Sequence, residues 1–165
     1  MANKNRFEFE YWALQFVNAI PAQNKSKENM RGADKGVDGI VNFYKKLHGG
    51  EEIGRAIVQV KSGSIKRNDI ATLKGDIERE HADAGIFITL EEPTRPMTEE
   101  AVSAGSFEVA VGPVPSEFPK IQILTIKELL TGKKPNLPAG WLVSNHKEAE
   151  AEKEDHSQSL WEQIK

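Results

Sequence analysis

The hydrophobic positions along the chain change period several times, and each change predicts a new element. Phe9, Trp12, Ala13, Phe16, Val17 and Ile20 recur at three- and four-residue spacing, which predicts an amphipathic helix over 7–19, closed by Pro21. Glu10 sits on the shoulder of that stripe, with Ala13, Leu14 and Val17 at i+3, i+4 and i+7. Its plain reading is a boundary carboxylate with an exposed tip. Residues 22–33 are polar and predict a loop. Residues 37–44 and 55–61 are rich in β-branched and aromatic side chains and predict two strands. His48-Gly49-Gly50 lies between them as a turn, so the strands should pair antiparallel. Successive side chains on a strand face opposite ways. Ala56, Val58 and Val60 should therefore share one face, and Ile57, Gln59 and Lys61 the other.

Farther along, Asn68 is the expected N-cap of a helix reaching about His81, with Ile70, Leu73 and Ile77 at helical spacing. The run 84–90 is apolar nearly throughout, as in a strand covered on both sides. Residues 91–96 read as a loop, and Thr98 as the cap of a short helix through Ala104. A second buried strand is expected over 121–126. Thr125 is placed to cap a helix over 127–130 that Gly132 closes, and Pro135 and Pro138 mark the end of compact structure near Trp141. Helix, two or three strands, helix, strand, helix, strand, helix is the order of an α/β sandwich around a mixed central sheet.

Composition narrows this only a little. A chain of 165 residues can bury one sizeable core but is marginal for two. No apolar run approaches a membrane span and no signal-peptide core follows Met1, so the expected setting is cytoplasmic, away from membranes. The absence of cysteine removes disulfides and thiolate metal sites. The formal net charge of −3 comes from the C-terminal stretch, where six acids meet three bases from Ser144 onward and leave nineteen of each sign in 1–143. Two segments are therefore expected: a folded domain over 1–143, and a charged tail over 144–165 that reads as disordered or as a lone polar helix. A neutral body does not coat nucleic acid by bulk charge, yet it allows a local basic patch. Lys66, Arg67 and Lys74 stand in a mild basic excess after Lys61. The four histidines (His48, His81, His146, His156) show no metal-ligand spacing.

The residues that carry chemistry are those costly to bury without partners. Gln59 and Lys61 share one face of an apolar strand, so a charged or hydrogen-bonding group must meet them. Asp38, beside Gly39 at the mouth of the preceding strand, is the obvious candidate. Its plain alternative is a turn aspartate, as a snorkelling strand-end lysine is for Lys61.

Taken together, Phe9-Glu10, Gly36-Val37-Asp38-Gly39 and Val58-Gln59-Val60-Lys61 resemble the Mrr-like restriction endonucleases. These are a branch of the PD-(D/E)xK nuclease superfamily in which Gln-x-Lys often replaces the second acid. The resemblance spans about residues 7–135 and includes Gly85-Ile86-Phe87-Ile88-Thr89. The stretch 90–94, with Met97 and Glu100-Ala101, looks like a subgroup fused to, or encoded beside, DNA methyltransferases. What the resemblance implies is a restriction-endonuclease-like three-layer sandwich, with a mixed central β-sheet flanked by helices. It also implies a Mg²⁺-dependent DNA endonuclease (Mn²⁺ substituting) of a restriction or defence system.

Residue by residue, Asp38 becomes the principal metal ligand, the Val60 backbone carbonyl a second, and Glu10 an additional acid. Gln59 takes the place of the second acid, and Lys61 orients water or steadies charge on the phosphate. Asp34 reads as a turn cap or a further ligand. Lys66, Arg67 and Lys74 are the expected DNA contacts. The implied partners are DNA, a methyltransferase or specificity subunit, and a second copy of the chain. Because Gln59 brings no charge, a second reading stays open: a catalytically silent DNA-binding or scaffold module serving a methyltransferase. A more distant one is a junction or repair nuclease on the same fold.

Overall fold

A computed structural model describes residues 2–22 and 36–138, with the backbone alone for residues 2–4. Asp34, Trp141, His146, His156 and the tail from Ser144 lie outside the described residues. Helix α1 (Ala2–Phe16) leads into a two-residue strand β1 (Ile20–Pro21). The strands β2 (Gly39–Lys46) and β3 (Glu52–Lys61) are followed by helix α2 (Arg67–Arg79), strand β4 (Ala84–Thr89) and helix α3 (Arg95–Ser103). A hairpin β5 (Ser106–Val109) and β6 (Ser116–Pro119) precedes β7 (Ile121–Thr125) and helix α4 (Ile126–Leu130).

The main sheet has the order β1-β2-β3-β4-β7. The pairs β1–β2 and β2–β3 are antiparallel, and β3–β4 and β4–β7 are parallel. One face packs on α1 and α4, with Ala13, Leu14 and Val17 against Val41, Phe43, Val58 and Val60. The other packs on α2 and α3, with Ile70, Leu73, Ile77 and Met97 against Ile57 and Phe87. This is the three-layer α/β sandwich with a mixed sheet that the order of elements predicts, and β4 is buried at every position.

The differences have local causes. Helix α1 ends at Phe16 rather than near residue 19, because Asn18 turns the chain in the left-handed region at φ 50°. Ile20 and Pro21 then pair with Ile40 and Gly39 at the sheet edge, where a missing N–H is tolerated. The buried stripe of α1 is Glu10, Ala13, Leu14 and Val17, while Trp12 is 41% exposed. Phe9 and Phe16 are half-buried at the rim of that core, and Trp12 lies between them with ring centroids 5.9 and 4.9 Å away, tilted toward one and edge-on to the other. Gly39 explains the choice: a Cβ there would stand 2.7 Å from Leu14 Cδ2, so only small and aliphatic residues of α1 reach the sheet this closely.

Helix α2 starts after Lys66, not at Asn68. The Asp69 carboxylate reaches back to accept from the Lys66 N–H at 2.8 Å, which does the capping. Helix α3 begins at Arg95 with Pro96 in its first turn, where a proline leaves no extra orphan N–H, so Thr98 lies inside the helix rather than at its cap. The β5–β6 hairpin is an addition to the expected order. Its Phe107 packs between Phe43 and Phe118, 5.5 and 5.9 Å away.

Thr125 caps α4 as expected, accepting from Glu128 N at 3.1 Å, while the Glu128 carboxylate accepts from Thr125 N at 2.9 Å. Lys133, hydrogen-bonded to Glu128, and then the Thr125 N–H hold the Glu128 carboxyl below its usual value. A lowered folded value contributes stability that is full above the unfolded carboxylate range and lost as pH falls through the folded one. Glu128→Gln should therefore lower the Tm at neutral pH and narrow the gap between neutral and acidic melting temperatures, as read by thermal denaturation from pH 7 to pH 3.

Candidate active site

Antiparallel β2 and parallel β3, β4 and β7 bring four chain ends to one edge of the sheet. These are the start of β2 and the carboxyl ends of β3, β4 and β7. Ligands of open α/β sheets bind outside the carboxyl ends of such strands. Lys61, Thr89 and Thr125 form one register row there, and Gln59, Phe87 and Ile123 form the row before it. Both rows face α2 and α3, as the alternation of β3 predicts.

Asp38 immediately precedes β2 and is only 7% exposed. Its N–H donates to the Val58 carbonyl at 2.8 Å, and its Oδ2 accepts from Val60 N at 2.7 Å. The carboxylate thus stands in for a backbone acceptor where the β2–β3 ladder stops at Gly39 and Val58. In a strand the N–H and C=O of one residue point to the same side. The Val60 carbonyl is therefore directed past the start of β2, toward Asp38 and away from β4. A carboxylate and a backbone carbonyl, both oxygen donors, are brought to the same edge.

Gln59 and Lys61 each meet an acid of α2. Gln59 Nε2 donates to Asp76 Oδ2 at 2.7 Å, and Asp76 Oδ1 lies 2.7 Å from Arg79 Nη1. Lys61 Nζ donates to Asp69 Oδ1 at 2.6 Å. Lys61 keeps 36% of its side chain exposed, so the ammonium is within reach of a phosphate and not sealed under the sheet. Asp69 and Asp76 are seven apart on one helix face, matched to strand positions two apart. The sequence reading missed both acids, although the i, i+7 spacing after a Gln-x-Lys strand signals them. Gly36 completes this corner at φ +71°, where a Cβ would fall 2.8 Å from Gln59 Nε2 and 2.9 Å from Asp76 Oδ2.

Glu10 comes from the opposite layer. It is 8% exposed on the sheet-facing side of α1, one turn before the Leu14 that covers Gly39, and its carboxylate accepts from Arg6 Nε at 3.0 Å. It is thus a buried acid rather than a boundary residue with an exposed tip. The structure joins Asp38 to Val60 directly. Gln59 and Lys61, on either side of Val60 in β3, turn instead to Asp76 and Asp69 of α2, and Glu10 lies across the sheet from them.

Of the expected DNA contacts, Lys66 and Arg67 are exposed at the start of α2 close after Lys61, and Arg67 pairs with Glu100 of α3 at 3.1 Å. Lys74 is half-buried, one turn from the α2 C-terminal part. A second polar cluster, Lys45, Glu52, Arg55 and Asp83, closes the far edge of the sheet. There Asp83 is 2.7 Å from Lys45 Nζ, and this contact raises the Lys45 pKa. Lys45 also pairs with Glu52 at 3.3 Å, while the Arg55 guanidinium donates to the Glu80 carbonyl.

Among the described residues no three His, Cys, Asp or Glu side chains form a ready metal cage. Asp38, the Val60 carbonyl and a carboxamide are all oxygen donors, however. That set suits Mg²⁺, which keeps several waters and needs only one or two carboxylates.

A mixed five-stranded sheet between helix layers, with an acid at one strand mouth and Gln-x-Lys on the next strand, defines a restriction-endonuclease-like fold. The restriction endonuclease family model Mrr_cat matches residues 2–130, and the chain belongs to that family. Among solved structures it is similar to the MspJI restriction endonuclease in complex with a 27-mer oligonucleotide. The TM-score is 0.52 at 13% identity, covering 75% of this chain. The chain spans about a quarter of that protein's length (26%). No curated protein sequence matches it. Among the described residues no helix is long and apolar enough to cross a membrane.

Proposed function

We propose that this chain is a Mg²⁺-dependent DNA endonuclease of a restriction or defence system, hydrolysing phosphodiesters with metal-activated water. What supports this reading is the hydrogen bond from the Val60 N–H, one residue before Lys61 on β3, to the buried Asp38 carboxylate, in a chain of the restriction endonuclease family. Asp38 and the Val60 carbonyl would hold the ion, with Glu10 as the supporting acid from α1. A bound divalent ion supplies a lowered pKa for its water and polarises a phosphoryl oxygen. Lys61 meets the charge that grows on the phosphate, an electrostatic role that preorganised cations perform well in a partly dry site. Gln59 orders this edge without adding charge. Lys66 and Arg67 extend the positive surface along the DNA backbone, with Lys74 farther along α2.

One such site cuts one strand, so a double-strand break requires two copies on the DNA or two encounters, and we expect a second copy of the chain to act there. Nothing else in the described fold resembles a base-reading helix-turn-helix or zinc module. We expect specificity to come from a partner, a methyltransferase or specificity subunit, or from modified bases. A cytoplasmic setting follows from the same role.

Purified protein incubated with supercoiled plasmid and Mg²⁺ or Mn²⁺ tests the reading. Nicking that Asp38→Ala and Lys61→Ala both abolish supports it. One observation favours the alternative, a silent DNA-binding module: Gln59 and Lys61 are already engaged by Asp76 and Asp69. DNA binding without nicking under either metal would decide for that alternative.

A further inference from the structure

Gln59 is the one side chain of the proposed site that carries no charge, and the groups around it explain how a carboxamide can serve there. Asp76 is 4% exposed and paired with Arg79, so it meets Gln59 as a carboxylate that only accepts hydrogen bonds. A carboxamide offers a donor at one end and an acceptor at the other. Facing a carboxylate at 2.7 Å, it must turn its nitrogen to that side and its oxygen away. Gly36 covers the contact, and any Cβ there would fall within 3 Å of both Nε2 and Asp76 Oδ2, so the backbone can pass over the pair only as glycine.

The same arrangement disfavours an acid at this position. A glutamate carboxylate in place of the amide would stand a hydrogen-bond length from Asp76, and two such groups cannot both ionise comfortably. Gln59 and Asp76 therefore form a matched pair.

We propose that Asp76 is a positioning residue that locks the Gln59 carboxamide with its oxygen toward the metal edge, so that a neutral side chain presents an oxygen donor there. This rests on the nuclease reading above and names the device that supports its metal site. Asp76 acts through Gln59 and touches neither metal nor DNA. Loss of outer partners of metal ligands weakens metal affinity by about tenfold to a hundredfold.

The test uses the full chain, with Mn²⁺ alone as the probe, and two readouts besides cleavage. Calorimetric titration gives the Mn²⁺ affinity. Nitrogen-15 spectra give hydrogen exchange of the Gln59 side-chain amide, assigned by its disappearance in Gln59→Glu. Asp76→Ala and Asp76→Asn are expected to weaken Mn²⁺ binding about tenfold or more. In Asp76→Ala the Gln59 amide should exchange as fast as an exposed glutamine. Gln59→Glu alone is expected to bind Mn²⁺ more weakly than Gln59→Glu combined with Asp76→Asn, where an amide can donate to the new carboxylate.

An Asp76→Ala protein that binds Mn²⁺ within twofold of wild type and keeps a slowly exchanging Gln59 amide overturns the proposal. If Asp76→Ala does not fold, the comparison of Gln59→Glu with the double variant decides instead, and equal Mn²⁺ affinities there overturn it. Wild type that takes up no Mn²⁺ and nicks no plasmid overturns the nuclease reading, whereas loss of Gln59 amide protection in Asp76→Ala would still uphold the hold of Asp76 on the amide.

Discussion

Asp38→Asn should fold and melt close to wild type, yet cut DNA roughly a thousandfold more slowly. The two halves of this result come from different properties of one side chain. Structurally, Asp38 supplies an acceptor to Val60 N at the end of the β2–β3 ladder, and an asparagine oxygen can take that place. Chemically, it supplies a negative charge that an asparagine lacks, at the place the proposal gives to the metal. A divalent ion contributes several kcal/mol of transition-state stabilisation, and each ~1.4 kcal/mol is tenfold in rate. If Asp38 is the principal ligand, as proposed, its loss costs about three powers of ten.

Asp38→Ala serves as the contrasting variant. It removes the acceptor as well, leaving a buried N–H unsatisfied at a cost of about 1–3 kcal/mol. The expected pattern is inactivity in both variants, with a lowered Tm in the alanine variant alone. Initial rates of plasmid nicking in Mg²⁺ and thermal melts would establish it. Wild-type rates in Asp38→Asn would make Asp38 a turn residue with a purely structural role.

Much of this arrangement is legible in the sequence because strand alternation is a strict geometric rule. The faces assigned to Ala56, Val58 and Val60, and to Ile57, Gln59 and Lys61, are those found. The α4 cap was readable for a similar reason, since Thr125 and Glu128 sit at the spacing of a capping box.

The misreadings arise where several stripes compete. Two apolar stripes overlap on α1, and periodicity ranks the larger side chains first. Burial went to Ala13, Leu14 and Val17, and the glycine at position 39, in a different element, is what lets Leu14 come so close to the sheet. Glu10 moved from boundary to interior by the same shift. Asp69 and Asp76 look like solvated helix acids until α2 is laid back along β3, and only then do they meet Lys61 and Gln59. The β5–β6 hairpin was missed because its four-residue strands are held by Phe107 packing on Phe43, far away in sequence.

Lys61→Met should leave stability nearly unchanged while slowing cleavage at saturating DNA by about a hundredfold to a thousandfold. The Lys61–Asp69 pair is partly open to solvent, and such pairs contribute about 0–1 kcal/mol. Asp69 also keeps its bond from the Lys66 N–H when the ammonium is gone, so the α2 cap survives. What disappears is a positive charge at the strand end next to the Asp38 edge. Were that charge used only to attract DNA, its loss would raise the protein concentration needed for half-maximal cutting and leave the saturated rate intact. A charge that meets the transition state lowers the saturated rate itself. Single-turnover cleavage with protein in excess separates the two, with Lys66→Met as the reference for simple attraction. Lys61→Arg is expected to rescue poorly, since a planar guanidinium is bulkier than an ammonium and distributes its charge differently. If excess Lys61→Met protein restores the wild-type rate, Lys61 belongs with Lys66 among the DNA-attracting residues, and the chemistry must be carried by the Asp38 edge alone.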